Sequence, residues 1–346
     1  MSEDTGTVRD VGREFFPLDE QLEVGLERQS ESVAQLIVWL SGLLTYRRAM
    51  EVLVRVGGIQ ISASTIWRET QAYGQRMLQA EEGAADAVVV ESAQSERMGC
   101  SADGGMIHLR DEGWKELKVG DVFEVEKQIR VDPKSQERME IGCAVRDSYT
   151  AYLGGPEEFG RRWWQEAKRR GWEDKPDTLV IADGAVWIWN LAATHFYDSK
   201  QMVDWYHATQ HLAHVAQILH GEGTPEAQRW FEKWKTLLYQ GRAEEIANRV
   251  RAEAETRPNM AQALNTEAGY FQNNHRRMRY MRMREEGWPI GSGMVESGCK
   301  QLKQRFAGPG MRWSRRGAEN LLPIRTAIMS DRFDAVWRLA RNSPPF

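Results

Sequence analysis

The spacing of apolar residues changes character near Ala87, and that change limits the folds open to the chain. Before it, ESVAQLIVWLSGLL, TYRRAMEVLVRVGG and SASTIWRETQAYGQRMLQA carry apolar residues at helical intervals. After an apolar run, AVVVES, come ERMGCSADGGMIHLR, GWKELKVGDVFEVEKQ and RMEIGCAVRDSYTAYLGG, with turn signals between them, and they predict an antiparallel meander of three strands. PEEFGRRWWQEAKRRG predicts a helix of about four turns, DTLVIADG a strand buried on both faces, and SKQMVDWYH a further short strand. The rest reads as helical: WYHATQHLAHVAQIL, PEAQRWFEKWKTLLYQG, AEEIANRVRAEAE, AGYFQNNHRRMRYMRMREEG, a helix around Val295–Phe306 and a last one from Arg316 to Ala340.

Three antiparallel strands, a helix, a buried strand, another α/β unit and a final helix form the ribonuclease-H-like order. The expected fold class is therefore α/β: a ribonuclease-H-like mixed sheet with a helical insertion, preceded by an all-α, helix-turn-helix-like N-terminal region. The expected divisions are a loop or cap over 1–30, helices over 31–85, the first part of the core over 86–203, the helical insertion over 204–287 and the C-terminal helices of the core over 288–346. In the N-terminal region Thr45 is the expected cap of the second helix, Gly57 and Gly58 its end, and Ser62 or Ser64 the cap of the third. Read as a helix-turn-helix, the third helix would present Ser64, Thr65, Arg68 and Gln71 to DNA; a plain three-helix bundle has the same pattern.

The 346 residues suffice for two or three small domains. No apolar run approaches the roughly 18 residues of a membrane span, and MSEDTGTVRDVGREFF has no signal-peptide core, so the expectation is a cytoplasmic protein without membrane partners. Cys100, Cys143 and Cys299 are widely spaced, which argues against a disulfide framework or a thiolate zinc site. The net charge of −4 hides an uneven distribution. Residues 1–100 hold 9 Lys/Arg against 16 Asp/Glu, whereas residues 273–316 hold 11 Lys/Arg against 3 Glu, so the C-terminal third is the basic face.

Three acids dominate the functional reading. Asp103 and Asp183 each precede glycine at the end of a strand-like run, and Glu296 lies on a basic helix. Asp-Gly most often simply opens a turn, and Glu296 could equally pair with Lys300 at i+4. The topology favours chemistry, because it makes the first and fourth strands neighbours and brings both aspartates to one end of the sheet. On the last catalytic helix Val295, Cys299, Leu302 and Phe306 form a buried stripe with Glu296 at its edge. Three hard oxygen ligands are the equipment of a two-metal phosphoryl-transfer site holding two Mg²⁺ ions about 4 Å apart, with Mn²⁺ able to substitute. Lys300, Lys303, Arg305, Arg312, Arg315 and Arg316 stand ready to neutralise phosphates, and Trp313 either stacks on a base or belongs to the core. His207, His211 and His214 share a helical face, but with no His-Glu-x-x-His arrangement and no nearby Cys the pattern does not favour zinc.

DGGMIHLRDEGWKELKVG, IADGAVWIWNLAATHF, QMVDWYHATQHL and PIGSGMVESGCKQLKQRFAGPGMRWSRRGAENLLPIR resemble bacterial insertion-sequence transposases of the ISKra family, members of the DDE superfamily, over about Phe15 to Phe333. The resemblance implies that Asp103, Asp183 and Glu296 are the catalytic and metal-binding triad, and that Asp204 and His207 form a supporting Asp-x-x-His signature. It implies Mg²⁺-dependent cleavage and strand transfer on double-stranded DNA, at the terminal inverted repeats and the target. A homodimer or larger assembly acting at the bacterial nucleoid would pair the ends. Family members carry paired cysteines before the FFPLDE element, whereas this sequence has none before Cys100, so an N-terminally shortened copy is expected. Two other readings remain open on the sequence: a non-catalytic DNA-binding remnant and, ranked last, a host ribonuclease-H-like nuclease.

Overall fold

A computed structural model of the chain describes residues 30–83, 94–131 and 138–342. The expected cap over 1–30 lies almost wholly outside the described residues, as does the AVVVES run. In chain order the elements begin with three helices, α1 (Glu31–Leu43), α2 (Tyr46–Gly57) and α3 (Ala63–Gly83). Three strands follow, β1 (Arg97–Leu109), β2 (Gly113–Val131) and β3 (Arg138–Tyr152), then α4 (Pro156–Arg169), β4 (Asp177–Ala182), α5 (Val186–His195) and β5 (Lys200–Val203). The remainder is helical: α6 (Trp205–His220), α7 (Pro225–Tyr239), α8 (Ala243–Thr256), α9 (Ala261–Asn274), α10 (Tyr280–Glu285), α11 (Gly293–Phe306), α12 (Arg315–Met329) and α13 (Phe333–Asn342). None of the described helices is long and apolar enough to cross a membrane.

The chain divides into two compact units, residues 1–84 with 313–346, and residues 85–312. The first is helical. The Thr45 hydroxyl caps α2 by accepting from the Arg48 amide, Gly58 ends that helix at φ 64°, and the Ser62 hydroxyl accepts from the Thr65 amide at the start of α3. Against α3 lies α12, so closely that a Cβ at Gly74 would collide with the Asn320 carbonyl. This corrects one expected division: the chain from Trp313 onward belongs to the unit of the N-terminal helices. A second correction concerns its last helix, which is two, because the chain turns at Ser330–Arg332 with Asp331 at φ 53°.

The second unit is built on a mixed five-stranded sheet of order β3-β2-β1-β4-β5. β1, β2 and β3 are antiparallel to one another, while β4 runs parallel to β1 and β5 parallel to β4. The molecule is thus a mixed α/β protein, and the first and fourth strands are neighbours as the sequence requires. Successive strand residues face opposite sides. On one side Gly120 of β2 admits Trp163 and Phe159 of α4, and the Trp163 indole donates to the Asp121 carbonyl at 2.9 Å. Truncating the fully buried Trp163 to Ala would remove about 3–5 kcal/mol of stability. On the other side α11 lies against β1 and β2. The core between the sheet and its helices is continuous, from Met98 and Val180 through Leu212 to Phe271.

Two helical boundaries differ from the periodicity. SKQMVDWYH stops being a strand at Val203, because the Asp204 side chain accepts from the His207 amide and caps α6. AGYFQNNHRRMRYMRMREEG is α9 and α10 separated by residues 275–279, where His275–Arg277 tighten into a 3₁₀ turn.

Candidate active site

The register of the parallel strands brings three aspartates together. Ser101 pairs with Ile181 and Ala182 with Val203. Continued by one or two residues, these registers set Asp103 beside Asp183 and Asp183 beside Asp204, in one row at the carboxyl ends of β4 and β5. That end of an open α/β sheet is where its crevice forms. Asp183 Oδ1 shapes its own turn by accepting from the Ala185 amide at 2.8 Å. Asp103 differs from the expected strand end: it lies inside β1, which stays paired with β2 as far as Leu109, and its Oδ1 accepts from the Gly104 amide at 2.6 Å. The Asp183 carbonyl accepts from the Tyr270 hydroxyl of α9 at 2.9 Å. The ring of Tyr270 crowds the chain so closely that Gly184, at φ 108°, has no room for a Cβ.

Asp204 differs from its two neighbours. It is fully buried and both carboxylate oxygens face donors: the His207 amide at Oδ1, and the Ser292 amide and hydroxyl at Oδ2. Burial alone would push its carboxyl up, but these bonds and the His207 imidazole outweigh it and hold it below the usual carboxylate range. The Trp205 amide also donates to the Ile290 carbonyl at 2.9 Å. Gly291 lies under the Tyr206 ring, where a Cβ would come within 2.8 Å. The start of α6 and the start of α11 are therefore clamped, and the Gly-Ser-Gly sequence serves that clamp.

The clamp fixes α11, which carries Glu296. Further along that helix, Gly298 lies flat on the Tyr149 ring of β3, and the Tyr149 hydroxyl donates to the Met294 carbonyl at 3.2 Å. Burial first, and the nearby Asp103 carboxylate second, push the Cys299 thiol well above the usual range. Glu296 is half-buried, with Lys300 Nζ 3.9 Å away. His207 Nδ1 lies 3.5 Å from Asp204 Oδ1, and that carboxylate raises the imidazole's pKa, with Asp183 and Glu296 adding to the effect. His207 thus feels the acids of the strands and of α11 at once.

Among the described residues, the group of three potential metal ligands that closes to within 4.8 Å is Asp204, His207 and Glu296. Asp103 and Asp183 stand outside it. Asp204 is a poor ligand nevertheless, since binding a cation would strip donors from a buried carboxylate. Asp183 and Glu296 suit a hard cation better: both are half-buried, and each keeps a carboxylate oxygen outside protein hydrogen bonds among the described residues. Asp103 gives one carboxylate oxygen to the Gly104 amide.

The basic and N-terminal candidates divide. Lys300, Lys303 and Arg312 are exposed, and Lys303 lies along Gly105 of β1, near the acids. Arg305 is buried and cannot reach a phosphate as it stands. Trp313 is buried in the helical unit, so it packs there and offers no face to a base. Arg315 pairs with Glu319 and Arg316 with Gln75, both within that unit. Ser64 and Arg68 are exposed on α3, with Thr65 half-buried between them. Gln71 does not face outward: its amide accepts from Asn320 and donates to the Gly317 carbonyl of α12. The histidine face resolves without a metal cluster, because Nδ1 of both His211 and His214 bonds the Glu267 carboxylate of α9, at 2.7 and 2.9 Å. Ser292, Tyr149, Tyr270 and Glu267 carry no signal in the sequence beyond their residue type; only Ser292, inside a Gly-Ser-Gly run, marks a tight approach.

The chain matches no family model and no curated protein.

Proposed function

We propose that the protein is a divalent-metal-dependent phosphoryl-transfer enzyme acting on duplex DNA, a DDE transposase with a ribonuclease-H-like catalytic core. The observation that carries this reading is the strand register that, continued, sets Asp103 beside Asp183 and Asp183 beside Asp204, the residue to which the helix of Glu296 is tied. The strand order, with β2 antiparallel and β4 and β5 parallel to β1, is the order such a core requires. The resemblance of the glutamate segment to ISKra-type transposases supports the choice of reaction, and the basic residues beside Glu296 support a polyanionic substrate.

Asp103, Asp183 and Glu296 would hold Mg²⁺, which supplies charge stabilisation for in-line displacement at phosphorus. The chain's own residues do the rest. Asp204 and Ser292 keep the start of α11 in place, so that Glu296 meets the strand ends without a search through conformations. Tyr270 fixes the Asp183 turn through its carbonyl. Lys300, Lys303 and Arg312 meet backbone phosphates on either side of the reacting one.

Cleavage of a labelled duplex bearing the terminal repeat of the surrounding element, with Mg²⁺ and with EDTA, tests the reading. Wild-type cutting that needs the metal, and a loss of at least about a hundredfold in Glu296→Gln, is the expected result. Binding without cutting in Mg²⁺ or Mn²⁺ would overturn the enzyme reading and leave a DNA-binding protein.

A further inference from the structure

A cluster of cations lies at the outer edge of β5. There a concavity of about 200 Å³ is lined by Lys200, Arg276, Arg277, Arg279 and Arg282, with Glu286 the one carboxylate among its lining residues. β5 is an edge strand, and residues 275–279, the break between α9 and α10, cross beside it. Several of these cations are already engaged. Lys200 pairs with Asp177 and Arg282 with Glu286. Arg277 donates to the Gln201 side chain at 2.8 Å and lies 4.4 Å over the Trp189 ring. Arg276 and Arg279 are exposed and have no carboxylate partner among the described residues.

An arrangement of this kind is not what a solvated helix face produces. The paired residues build a rigid wall, and the two arginines without partners point their charge into a groove that the pairs leave positive. The cations of residues 276–284 are all arginine, whose planar fork suits phosphate oxygens better than an ammonium does. The strand itself sets the spacing. Lys200 opens β5 and Asp204 follows its end, four residues on, which at about 3.3 Å per residue sets the Lys200 side of the groove roughly 13 Å from Asp204.

Resting on the phosphoryl-transfer reading above, we propose that this groove is a second DNA site, which grips the phosphodiester backbone of the duplex away from the scissile phosphate, with Arg276 and Arg279 touching it directly. It recognises backbone and not base sequence, because nothing in it matches a base edge and all of it matches phosphate.

The test is binding of a fluorescently labelled duplex to the full chain, followed between about 50 and 200 mM salt. Arg276→Gln with Arg279→Gln should bind roughly tenfold more weakly or worse, and the slope of log K against log salt should become shallower by about 2, one for each phosphate no longer neutralised. The control pair Lys233→Gln with Arg251→Gln removes the same charge from α7 and α8, outside the groove, and should leave the slope unchanged. An unaltered slope in the groove variant, or an equal loss in the control, overturns the proposal while leaving the phosphoryl-transfer reading in place. A wild type that binds no duplex at any salt overturns both. Because Arg276 and Arg279 are exposed and have no carboxylate partner among the described residues, thermal melting of the variant should coincide with wild type, which separates lost binding from lost folding.

Discussion

Asp204, at the end of β5, and Asp121, in the middle of β2, are both fully buried aspartates, and their carboxyls are shifted in opposite directions. Asp204 is kept ionised by the donors that meet both its oxygens. Asp121 receives the Ser101 amide and hydroxyl on Oδ1 alone, at 2.7 and 2.6 Å, while its Oδ2 has no partner among the described residues. Burial pushes its carboxyl up to about 8; the Ser101 bonds pull the other way, and nearby Asp147 adds to the rise. The difference teaches that burial does not decide charge in this sheet. The number of donors does, and donors were placed where the fold needs an anion to tie two elements together.

The largest effect is expected from breaking the tie. Asp204→Ala leaves the Ser292 amide and hydroxyl and the His207 amide buried without an acceptor, which should cost about 3–5 kcal/mol in urea unfolding. Asp204→Asn should lose most of the same, because its amide group would turn an N–H toward another N–H. A change below about 1 kcal/mol in the Asn variant would show that the anion is not what holds α11. The pH dependence follows from the lowered carboxyl: this contribution is present above the unfolded value of 3.8 and disappears only as pH falls through the depressed folded value.

Asp121→Asn should behave in the reverse sense. The folded carboxyl titrates at about 8 against 3.8 unfolded, so its contribution is complete below the unfolded value and is lost as pH rises through the folded one. Relative to Asp121→Asn, the wild type should weaken by about 1.4 kcal/mol per pH unit across that window, and the variant should be the more stable protein at its upper end. Parallel stability curves for the two proteins between about pH 5 and 8, taken in steps of about one unit, would refute the assignment.

Much of this arrangement was legible in the sequence, and what was not has a physical reason. Asp183 announces itself because its Asp-Gly ends a strand-like run; the same signal misleads at Asp103, which lies inside β1, but the strand order still makes the two neighbours. Asp204 could be singled out only as part of Asp-x-x-His; that it caps α6 is a local matter, but its partner Ser292 is 88 residues away, and no periodicity carries that distance. Asp121, in KVGDVFEVE, reads as one polar residue of an alternating strand, and becomes buried only because α11 covers that face. The apolar residues of AVWIWNLAATHF run all round α5 and leave no stripe to read. Arg305 and Gln71 mislead in the same way: their residue types suit DNA, while neighbouring helices decide that one is buried and the other is bonded to Asn320.

The smallest effects sharpen the comparison most. Ser292→Ala and Ser101→Ala each remove one hydroxyl donor from a buried aspartate and leave the backbone amide bond in place. If Asp204 is ionised throughout the neutral range, Ser292→Ala should cost a constant amount, about 1–2 kcal/mol, at every pH from about 6 to 9. If Asp121 is protonated below about 8, its Oδ1 is a neutral acceptor there, and Ser101→Ala should cost only about 1 kcal/mol near pH 6. Above that value the wild-type hydroxyl would serve an anion, a bond roughly twice as strong, so the cost of Ser101→Ala should grow as pH rises. In an Asp121→Asn background the growth should vanish, since no charge remains to be served. Equal and pH-independent costs at both serines would mean that the two carboxylates share one charge state, and the contrast between the two regions would fall with it.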